Sequence, residues 1–529
     1  RSIDEEPLDD DDETGFLCRA EGLPFEGDQD LPSSWLEETA NGATRVKRIY
    51  RERVPFQVSI NSQGIEGAGL GMWFMKGKFS LCLRCGDTPP GQGRDRNRLS
   101  GLSAEGRSSA TTILNSVALE EMDALDSGRG KLLTFTDNRQ DAALQAGHFN
   151  DHVFVTRLRA AIFAAVRDAG NGGLAGRDFG DGVRRALGYA WSKEDSHEEW
   201  LRDDVRGRKA TEAEVLLSRI IAHRVWTDQR RGWRFTNPNL EDLDLVRVEY
   251  AMLSGLAEED SIFVGAPDVL RYATSDIRLK ALRILLEHMR TGLAIDVEAL
   301  DRQRFEEIAE ESRRYLQAPW AIHEKERPRE AAWLMLEGTS RANISLRDEG
   351  IVLRGSAQSA LGKALVDERL WGRRLPRGEV TEVIEALLQA TAHDDYAYVR
   401  AQRTPFGPMG WKLDPGALKL CAVSEPVTKE GEKAPPNPYF RELYTRVADN
   451  MLARRAPLRG LEAREHTAQV DKDLRQHRER RFRFGKDDQK QMQEMPHNNE
   501  TSRRLPLLIC SPTMELGVDI STLEYVHLR

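Results

Sequence analysis

The string "SPTMELGVDIS", residues 511–521, combines residue types that can hold a phosphate group. The hydroxyls of Ser511 and Thr513, with nearby backbone N–H groups, can donate to a phosphate oxygen of a nucleic-acid backbone. Gly517 lets a ligand approach the backbone closely, and Asp519 can accept a hydrogen bond from a ribose hydroxyl or order a loop. A buried strand with an ordinary turn would use the same residues, so spacing alone leaves both interpretations open.

Two further segments place a polar turn where an apolar strand ends. In "LLTFTDNRQDAALQAGHFND", residues 132–151, Arg139 can reach a phosphate at the start of a helix, although a surface ion pair explains it equally well. The segment "EHTAQV", residues 465–470, precedes a helix with five arginines between positions 475 and 483. These arginines suit a nucleic-acid contact, but a charge run is usually a solvated face, here offset by Glu479 and Asp473.

A metal site is a third candidate, because Cys82 and Cys85 form a CxxC knuckle between two strand-like segments. A structural zinc ion needs four thiolate or imidazole ligands. Cys18 is the further cysteine nearby, and the chain has no second CxxC pair. Zn²⁺ is therefore a candidate cofactor whose ligand set is incomplete in this sequence.

The elements that must position these residues predict an α/β fold. Residues 131–160 and 456–529 have the strand, loop and helix patterns of one parallel sheet, and the helical patterns of residues 161–455 separate them. Such a separation is longer than a connecting loop, so we expect a sheet split by a large, mainly α-helical insertion. Within it, the order helix, strand, turn, strand at about 376–422 is typical of a winged-helix unit.

The amino-terminal part divides into two predicted regions. Residues 1–45 are acidic and lack hydrophobic periodicity, which is typical of a flexible lead. Residues 46–130 are strand-rich at their start and contain the CxxC knuckle, so we interpret them as a connector.

Bulk properties limit the class of protein. A chain of 529 residues is too long for one core. The formal net charge of −9 requires any nucleic-acid contact to come from local basic patches. Five cysteines provide no disulfide framework and favour a reducing, cytoplasmic setting. No apolar run approaches the ~20 residues of a membrane span, so we expect no membrane partner.

The three polar segments together resemble superfamily 2 nucleic-acid helicases of the DEAD/DEAH-box type. Residues 511–521 resemble motif V of that family. Residues 132–151 are similar to the opening strand and motif IV of the second motor domain in large bacterial members. The order "HTAQ", arginine-rich helix and motif V is also found in that subgroup.

This resemblance implies a RecA-like second motor domain and an ATP-dependent helicase or translocase in the intact protein. ATP and Mg²⁺ would bind between two motor domains, and the partner would be nucleic acid, with DNA the expected form. Arg139, Ser511 and Thr513 would contact the strand, and Gly517 and Asp519 would couple that contact to the ATP site.

Two motifs of the family are missing from the sequence. The nearest string to a phosphate loop, "GSAQSALGKAL" at residues 355–365, has the wrong glycine spacing and Ala364 where a magnesium-binding hydroxyl belongs. The arginine-finger motif would follow Arg529. We therefore expect a fragment that depends on a first motor domain, in the same protein or in an adjacent chain, and that is inactive alone. Two alternatives stay open: a non-catalytic nucleic-acid-binding or regulatory protein on a degenerate helicase scaffold, and a helical protein that docks a partner.

Overall fold

The computed structural model describes two compact units, which we call the first and second units. The first unit comprises Arg1–Gly101, Tyr250–Val297 and Glu330–Ala417, and the second comprises Leu102–Glu249, Glu298–Arg329 and Leu418–Arg529. The structure describes all residues except 1–14, 22–24, 26, 28–29, 33–34, 39–43, 62–64, 77–79, 84–97, 126–129, 137–138, 191–192, 230–236, 327–328, 337–351, 406, 424–436, 496, 498–499, 512–524 and 529. The domain boundaries expected at 45, 130, 160 and 455 stay predictions.

The strands of the described residues are short. They are β1 Gly15–Arg19, β2 Leu36–Glu38, β3 Thr44–Val46, β4 Phe56–Ile60, β5 Leu70–Lys76, β6 Leu132–Phe135, β7 Leu174–Ala175, β8 Val246–Tyr250, β9 Trp333–Leu336, β10 Val352–Gly355, β11 Val399–Arg403, β12 Met409–Leu413, β13 Leu418–Ala422, β14 Ala463–His466, β15 Leu507–Cys510 and β16 Tyr525–Leu528.

The α-helices differ widely in length. They are α1 Arg98–Leu125, α2 Arg139–Asp168, α3 Phe179–Ala186, α4 Lys193–Trp200, α5 Arg208–Asp228, α6 Leu253–Glu258, α7 Asp268–Arg271, α8 Ser275–Thr291, α9 Arg302–Tyr315, α10 Ala360–Leu365, α11 Glu368–Trp371, α12 Arg377–Thr391, α13 Pro438–Leu452, α14 Lys472–Arg483 and α15 Lys486–Glu494. Within the described ranges, no helix is both long enough and apolar enough to cross a bilayer.

A four-stranded parallel sheet with the order β14–β15–β6–β16 lies in the second unit. Strand β15 occupies an interior position and is buried throughout, as its continuous apolar run Leu507, Leu508, Ile509 and Cys510 requires. The prediction that the strand near residue 131 and the strands after residue 460 share one sheet is confirmed by this pairing.

Helix α2 connects the sheet to the helical part of the second unit. It runs for 30 residues directly after β6, and its buried positions include the predicted apolar face Leu158, Ala161, Ile162, Ala165 and Val166. The Asn150 side chain on this helix donates to the carbonyl of Ala463 at 2.9 Å and accepts from the Ala463 N–H at 2.8 Å. This pair of bonds fixes the start of β14 against the helix.

The first unit contains the predicted helix, strand, turn, strand order. Helix α12 buries Val380, Val383 and Ile384, and strands β11 and β12 form an antiparallel hairpin after it. The hairpin continues into a sheet of order β10–β9–β12–β11. The region that was expected to be mainly helical thus also contains short strands, which a pattern dominated by helical periodicity conceals.

Candidate functional site at the carboxyl edge of the parallel sheet

Three neighbouring strands of the parallel sheet end in register. The Cα pairing aligns His466 of β14 with Cys510 of β15, and Cys510 with Phe135 of β6. The residue that follows each strand therefore lies beside its neighbours at one edge, and these residues are Thr467, Ser511 and Thr136. This row of three hydroxyls stands at the edge where open α/β sheets bind ligands.

All three hydroxyl residues are only 1–3% exposed. The Thr136 backbone N–H donates to the Cys510 carbonyl at 2.9 Å, and its hydroxyl is 3.5 Å from the same oxygen. The Thr467 hydroxyl, in contrast, has no hydrogen-bond partner in the part of the chain that the structure describes. A buried polar atom left without a partner costs about 1–3 kcal/mol, and a bound ligand or a water molecule is one way to satisfy it.

The side chain of His466 adds a second atom of this kind. Its Nε2 lies 2.8 Å from a carboxylate oxygen of Glu479 on α14, which orients the ring. Its Nδ1 is buried and has no hydrogen-bond partner among the described residues. The carboxyl edge therefore carries two unsatisfied polar atoms on adjacent residues.

The neighbouring thiol does not contribute a charge to this edge. Burial, and then the nearby carboxylate of Glu479, raise the pKa of Cys510 to about 12. Cys510 therefore stays protonated at neutral pH and is a packing residue, not a nucleophile. The chemistry of the edge is hydrogen bonding rather than covalent catalysis.

Arg139 is the first residue of α2 and is exposed. The amino end of a long helix attracts anions through its N–H groups and its dipole, and a cationic side chain there adds to the attraction. Ser511 directly follows β15 and is described, whereas Thr513, Gly517 and Asp519 lie outside the described residues. Strand β16, which follows residues 512–524 in the sequence, pairs in parallel with β6.

Two of the five arginines on the arginine-rich helix do not form a solvated face. Arg478 and Arg481 on α14 are buried, not solvated, and both contact Glu500 at 2.6–2.9 Å. Arg481 also contacts Glu462, directly before β14, at 2.5 Å. The solvated-face expectation is wrong for these two arginines, because partners 19 and 22 residues away neutralise them inside the unit.

The outermost charges of this network lie at the amino edge of the sheet. The Arg504 guanidinium donates to the Gly130 carbonyl at 2.7 Å, and the Arg481 Nε donates to the Arg503 carbonyl at 2.8 Å. Burial alone would raise the pKa of Glu462, but the guanidinium groups of Arg481 and Arg464 lower it to about 2. These contacts link the segments that precede β6, β14 and β15 to helix α14.

The structure describes only one of the two cysteines of the CxxC knuckle. Cys82 is partly buried, and Cys85 lies outside the described residues. Within the described ranges, no group of three or more His, Cys, Asp or Glu side chains could hold a metal ion. The residues that the structure places do not fit a zinc ion, and the zinc site stays a prediction.

Sequence reasoning did not select Thr136, His466 or Thr467, although all three lie in segments it marked. The available signal was their position at the ends of short apolar strands. Only the strand register shows that these strand ends lie side by side and form a site. Comparison of the chain with protein families, with characterised proteins and with solved structures finds no match.

Proposed function

We propose that this chain carries part of the nucleic-acid grip of an ATP-dependent superfamily 2 helicase or translocase that acts in the cytoplasm. The parallel sheet would belong to its RecA-like second motor domain. The observation that carries the proposal is the row Thr467, Ser511 and Thr136 at one sheet edge, beside two unsatisfied polar atoms. Three segments far apart in sequence contribute to this row, and they are the segments that resemble helicase motifs.

In this proposal the edge binds the phosphates of one nucleic-acid strand, with DNA the expected form. Hydroxyl donors suit phosphate oxygens, which accept hydrogen bonds and carry negative charge. Thr467, Ser511 and Thr513 would donate to the strand, and Arg139 would add a positive charge at the start of α2. Gly517 and Asp519, in the loop after Ser511, would couple this contact to the nucleotide site.

The described residues do not fit an ATP site. Lys363, in the string nearest to a phosphate loop, lies within α10 and donates to the backbone carbonyl of Asp30 at 2.9 Å. No group of three or more metal-ligating side chains for Mg²⁺ occurs in the described part of the chain. ATP and Mg²⁺ therefore depend, in this proposal, on a first motor domain in the same protein or in an adjacent chain.

The winged-helix-like unit would guide or separate the duplex. Helix α12 presents Glu382 and Glu385 to solvent, and like charges make this face unsuitable for phosphates. We therefore assign the duplex contact to the β11–β12 hairpin and not to the helix.

Filter binding of single-stranded DNA tests the grip. Thr513→Ala and Arg139→Ala should each weaken binding by about 5-fold, since a lost charged or polar phosphate contact costs roughly 1 kcal/mol. The matched controls are Thr211→Ala on α5 and Arg185→Ala on α3, both exposed in the same unit. Affinity unchanged in both test variants would reject the assigned contacts.

The isolated chain should show no ATP turnover, with or without single-stranded DNA. The reason is the missing phosphate loop, without which the phosphates have no backbone cradle. A coupled assay of the purified chain measures this, and turnover that copurifies with the chain through successive columns would contradict the proposal.

A further inference from the structure

The guanidinium group of Arg503 makes no hydrogen bond and no ion pair within the part of the chain that the structure describes. Arg503 lies in the segment before β15, and its side chain is half-buried. Its backbone is held in place, because its carbonyl accepts a hydrogen bond from the Arg481 Nε at 2.8 Å. Its own Nε is buried without a partner among the described residues. A guanidinium group offers five N–H donors, and the described protein atoms use none of them here.

The Glu199 carboxylate on α4, whose charge acts on Arg503, is engaged by two other arginines. Both Nη groups of Arg157 donate to it, at 2.6 and 3.2 Å. The Arg459 Nε lies 3.8 Å from the same carboxylate. Three guanidinium groups thus lie around one carboxylate, and the Nε of Arg157 is a second buried donor without a partner among the described residues.

Glu462 and Asp203 are the other carboxylates whose charges act on Arg503. Glu462 is engaged by Arg481 at 2.5 Å and by Arg464 at 2.7 Å. Asp203 is exposed, so water screens its charge. None of the three carboxylates is therefore committed to Arg503.

The electrostatic consequence is visible in the ionisation of Arg503. Burial, and to a smaller extent the charge of Arg481, lower the pKa of Arg503, and the three carboxylates restore it only in part. The guanidinium group stays protonated at neutral pH, so its charge is only partly compensated by the described residues. A partly buried charge in this state is costly, and a bound anion removes that cost.

The chemistry of the position selects a small oxyanion. A water molecule can accept a hydrogen bond from the Arg503 Nε, but it carries no charge that compensates the guanidinium group. The planar fork of an arginine matches the oxygens of a phosphate group. The burial of the Nε limits the occupant to a small group, because a broad macromolecular surface cannot reach it. A phosphate dianion has more charge and more acceptor oxygens than a carboxylate, so it can accept from Arg503 and Arg459 together.

We propose that Arg503 and Arg459 bind a small tetrahedral oxyanion of the phosphate class beside the Glu199 carboxylate. This site lies at the amino edge of the parallel sheet, and the four residues of β15 separate it from the hydroxyl row. It is independent of the proposed nucleic-acid grip. The bound oxyanion stabilises the second unit by compensating the charge of Arg503.

The test combines calorimetric titration of the full chain with inorganic phosphate and thermal unfolding in the same solutions, with sodium chloride holding the ionic strength constant. The wild-type unfolding midpoint should rise with phosphate concentration, because a ligand that binds only the folded state stabilises it. Arg503→Gln should weaken phosphate binding about 10-fold or more, through loss of charge-assisted hydrogen bonds. Arg459→Gln changes an exposed residue, should weaken binding about 3-fold, and replaces the first variant if Arg503→Gln does not fold.

Arg441→Gln is the matched control. Arg441 is another half-buried arginine of the second unit, but its Nη1 already donates to the carbonyls of Leu243 and Asp244, at 2.6 and 3.2 Å. Phosphate affinity in this variant should equal that of the wild type. Sulfate, also a tetrahedral dianion, should bind the wild type in the same way and supports the proposal if it does.

Unchanged phosphate affinity in Arg503→Gln, or in Arg459→Gln where only that variant folds, overturns the proposal. An equal rise of the unfolding midpoint in the wild type and Arg503→Gln also overturns it, because phosphate excluded from protein surfaces stabilises every variant alike. Acetate that binds as tightly as phosphate overturns the tetrahedral class and indicates a docked carboxylate side chain. Phosphate binding should persist in Arg139→Ala, so failure at the sheet edge and failure at this site give different results.

Fluorescence anisotropy with oligo(dT), with and without a 5′-phosphate, distinguishes the two sources of the oxyanion. A 5′-phosphate that strengthens binding to the wild type but not to Arg503→Gln identifies a strand end as the source. A 5′-phosphate without effect on either protein identifies free phosphate. Each result supports the proposal, provided that inorganic phosphate binds as expected.

Discussion

At the amino edge of the parallel sheet, Arg478 and Arg481 meet carboxylates, although the Arg503 Nε beside them has no partner among the described residues. At the carboxyl edge, two buried polar atoms have none. Arg478 and Arg481 share Glu500 at 2.6–2.9 Å. Across the same strands, the Thr467 hydroxyl and the His466 Nδ1 have no partner within the described ranges. The side chains of Arg478, Arg481, Glu500 and His466 are all less than 10% exposed, so burial does not distinguish these groups.

The difference between the two edges assigns their polar residues to two roles, stability and ligand binding. A satisfied buried network contributes to the folded state, and removing one partner exposes the full desolvation cost of the other. An unsatisfied buried atom lowers stability, and a ligand is one way to complete it. Variants at the amino edge should therefore change stability, and variants at the carboxyl edge should change affinity.

The largest effect should follow Glu500→Ala. This change leaves Arg478 and Arg481 without their shared carboxylate and should lower the free energy of unfolding by about 3–5 kcal/mol. Urea unfolding followed by tryptophan fluorescence measures it. Glu310→Ala, which removes the partner of Arg314 in an exposed pair, is the control and should cost at most about 0.5 kcal/mol. Equal losses in the two variants would show that the amino edge is not a buried network.

A smaller effect should appear in the pH dependence of stability. Because the pKa of Glu462 is lowered to about 2 in the folded state, its contribution is present above the unfolded pKa near 4.5. The contribution is lost as the pH falls from about 4.5 towards 2, and it amounts to about 3 kcal/mol. The stability difference between the wild type and Glu462→Gln should therefore shrink over this range.

Urea midpoints measured from pH 7 to pH 3 follow this difference, with Glu306→Gln on the exposed face of α9 as the control. A stability difference between the wild type and Glu462→Gln that stays constant across this pH range would show that Glu462 is not part of the network.

Thr467→Val should separate affinity from stability. Replacing an unpartnered buried hydroxyl by a methyl group should leave the free energy of unfolding unchanged or raise it by up to about 1–3 kcal/mol, because it removes an unsatisfied polar atom. Affinity for single-stranded DNA should fall about 5-fold, through loss of roughly 1 kcal/mol of hydrogen bonding. Thr227→Val is the control, because that buried hydroxyl donates to the His223 carbonyl at 2.6 Å.

The control should lose stability by about 1 kcal/mol and keep its affinity. If Thr467→Val binds single-stranded DNA as tightly as the wild type, Thr467 has only a packing role.

Much of the fold could be predicted from the sequence. The apolar run at 507–510 predicted a buried strand, and the i, i+3, i+4 spacing between Leu158 and Val166 predicted the helical face of α2. The polar composition of residues 486–503 predicts a loop, and this prediction is wrong for residues 486–494, which form α15. Helix α15 buries Met492 alone, so its sequence shows no hydrophobic periodicity. Its start is fixed by the Gly485 N–H, which donates to the Asp488 carboxylate at 3.2 Å.

The candidate site could be predicted from the sequence only in part. Ser511 and Arg139 could be selected because their segments carry a recognisable pattern of residues. The neighbours of Ser511 depend on strand register, and the partners of Arg481 depend on tertiary packing across about 20 residues. Neither quantity is encoded in local spacing, so the hydroxyl row and the buried arginine network emerge only from the structure.

The salt dependence of single-stranded DNA binding tests the central claim most directly, since it counts phosphate contacts. For the wild type, log Kd should rise linearly with log salt concentration. In Arg139→Ala the slope should decrease by about 0.7, the value of one lost phosphate contact on a single strand, and in Arg185→Ala it should not change. Identical slopes for the wild type and Arg139→Ala would contradict a phosphate grip at the carboxyl edge of the sheet.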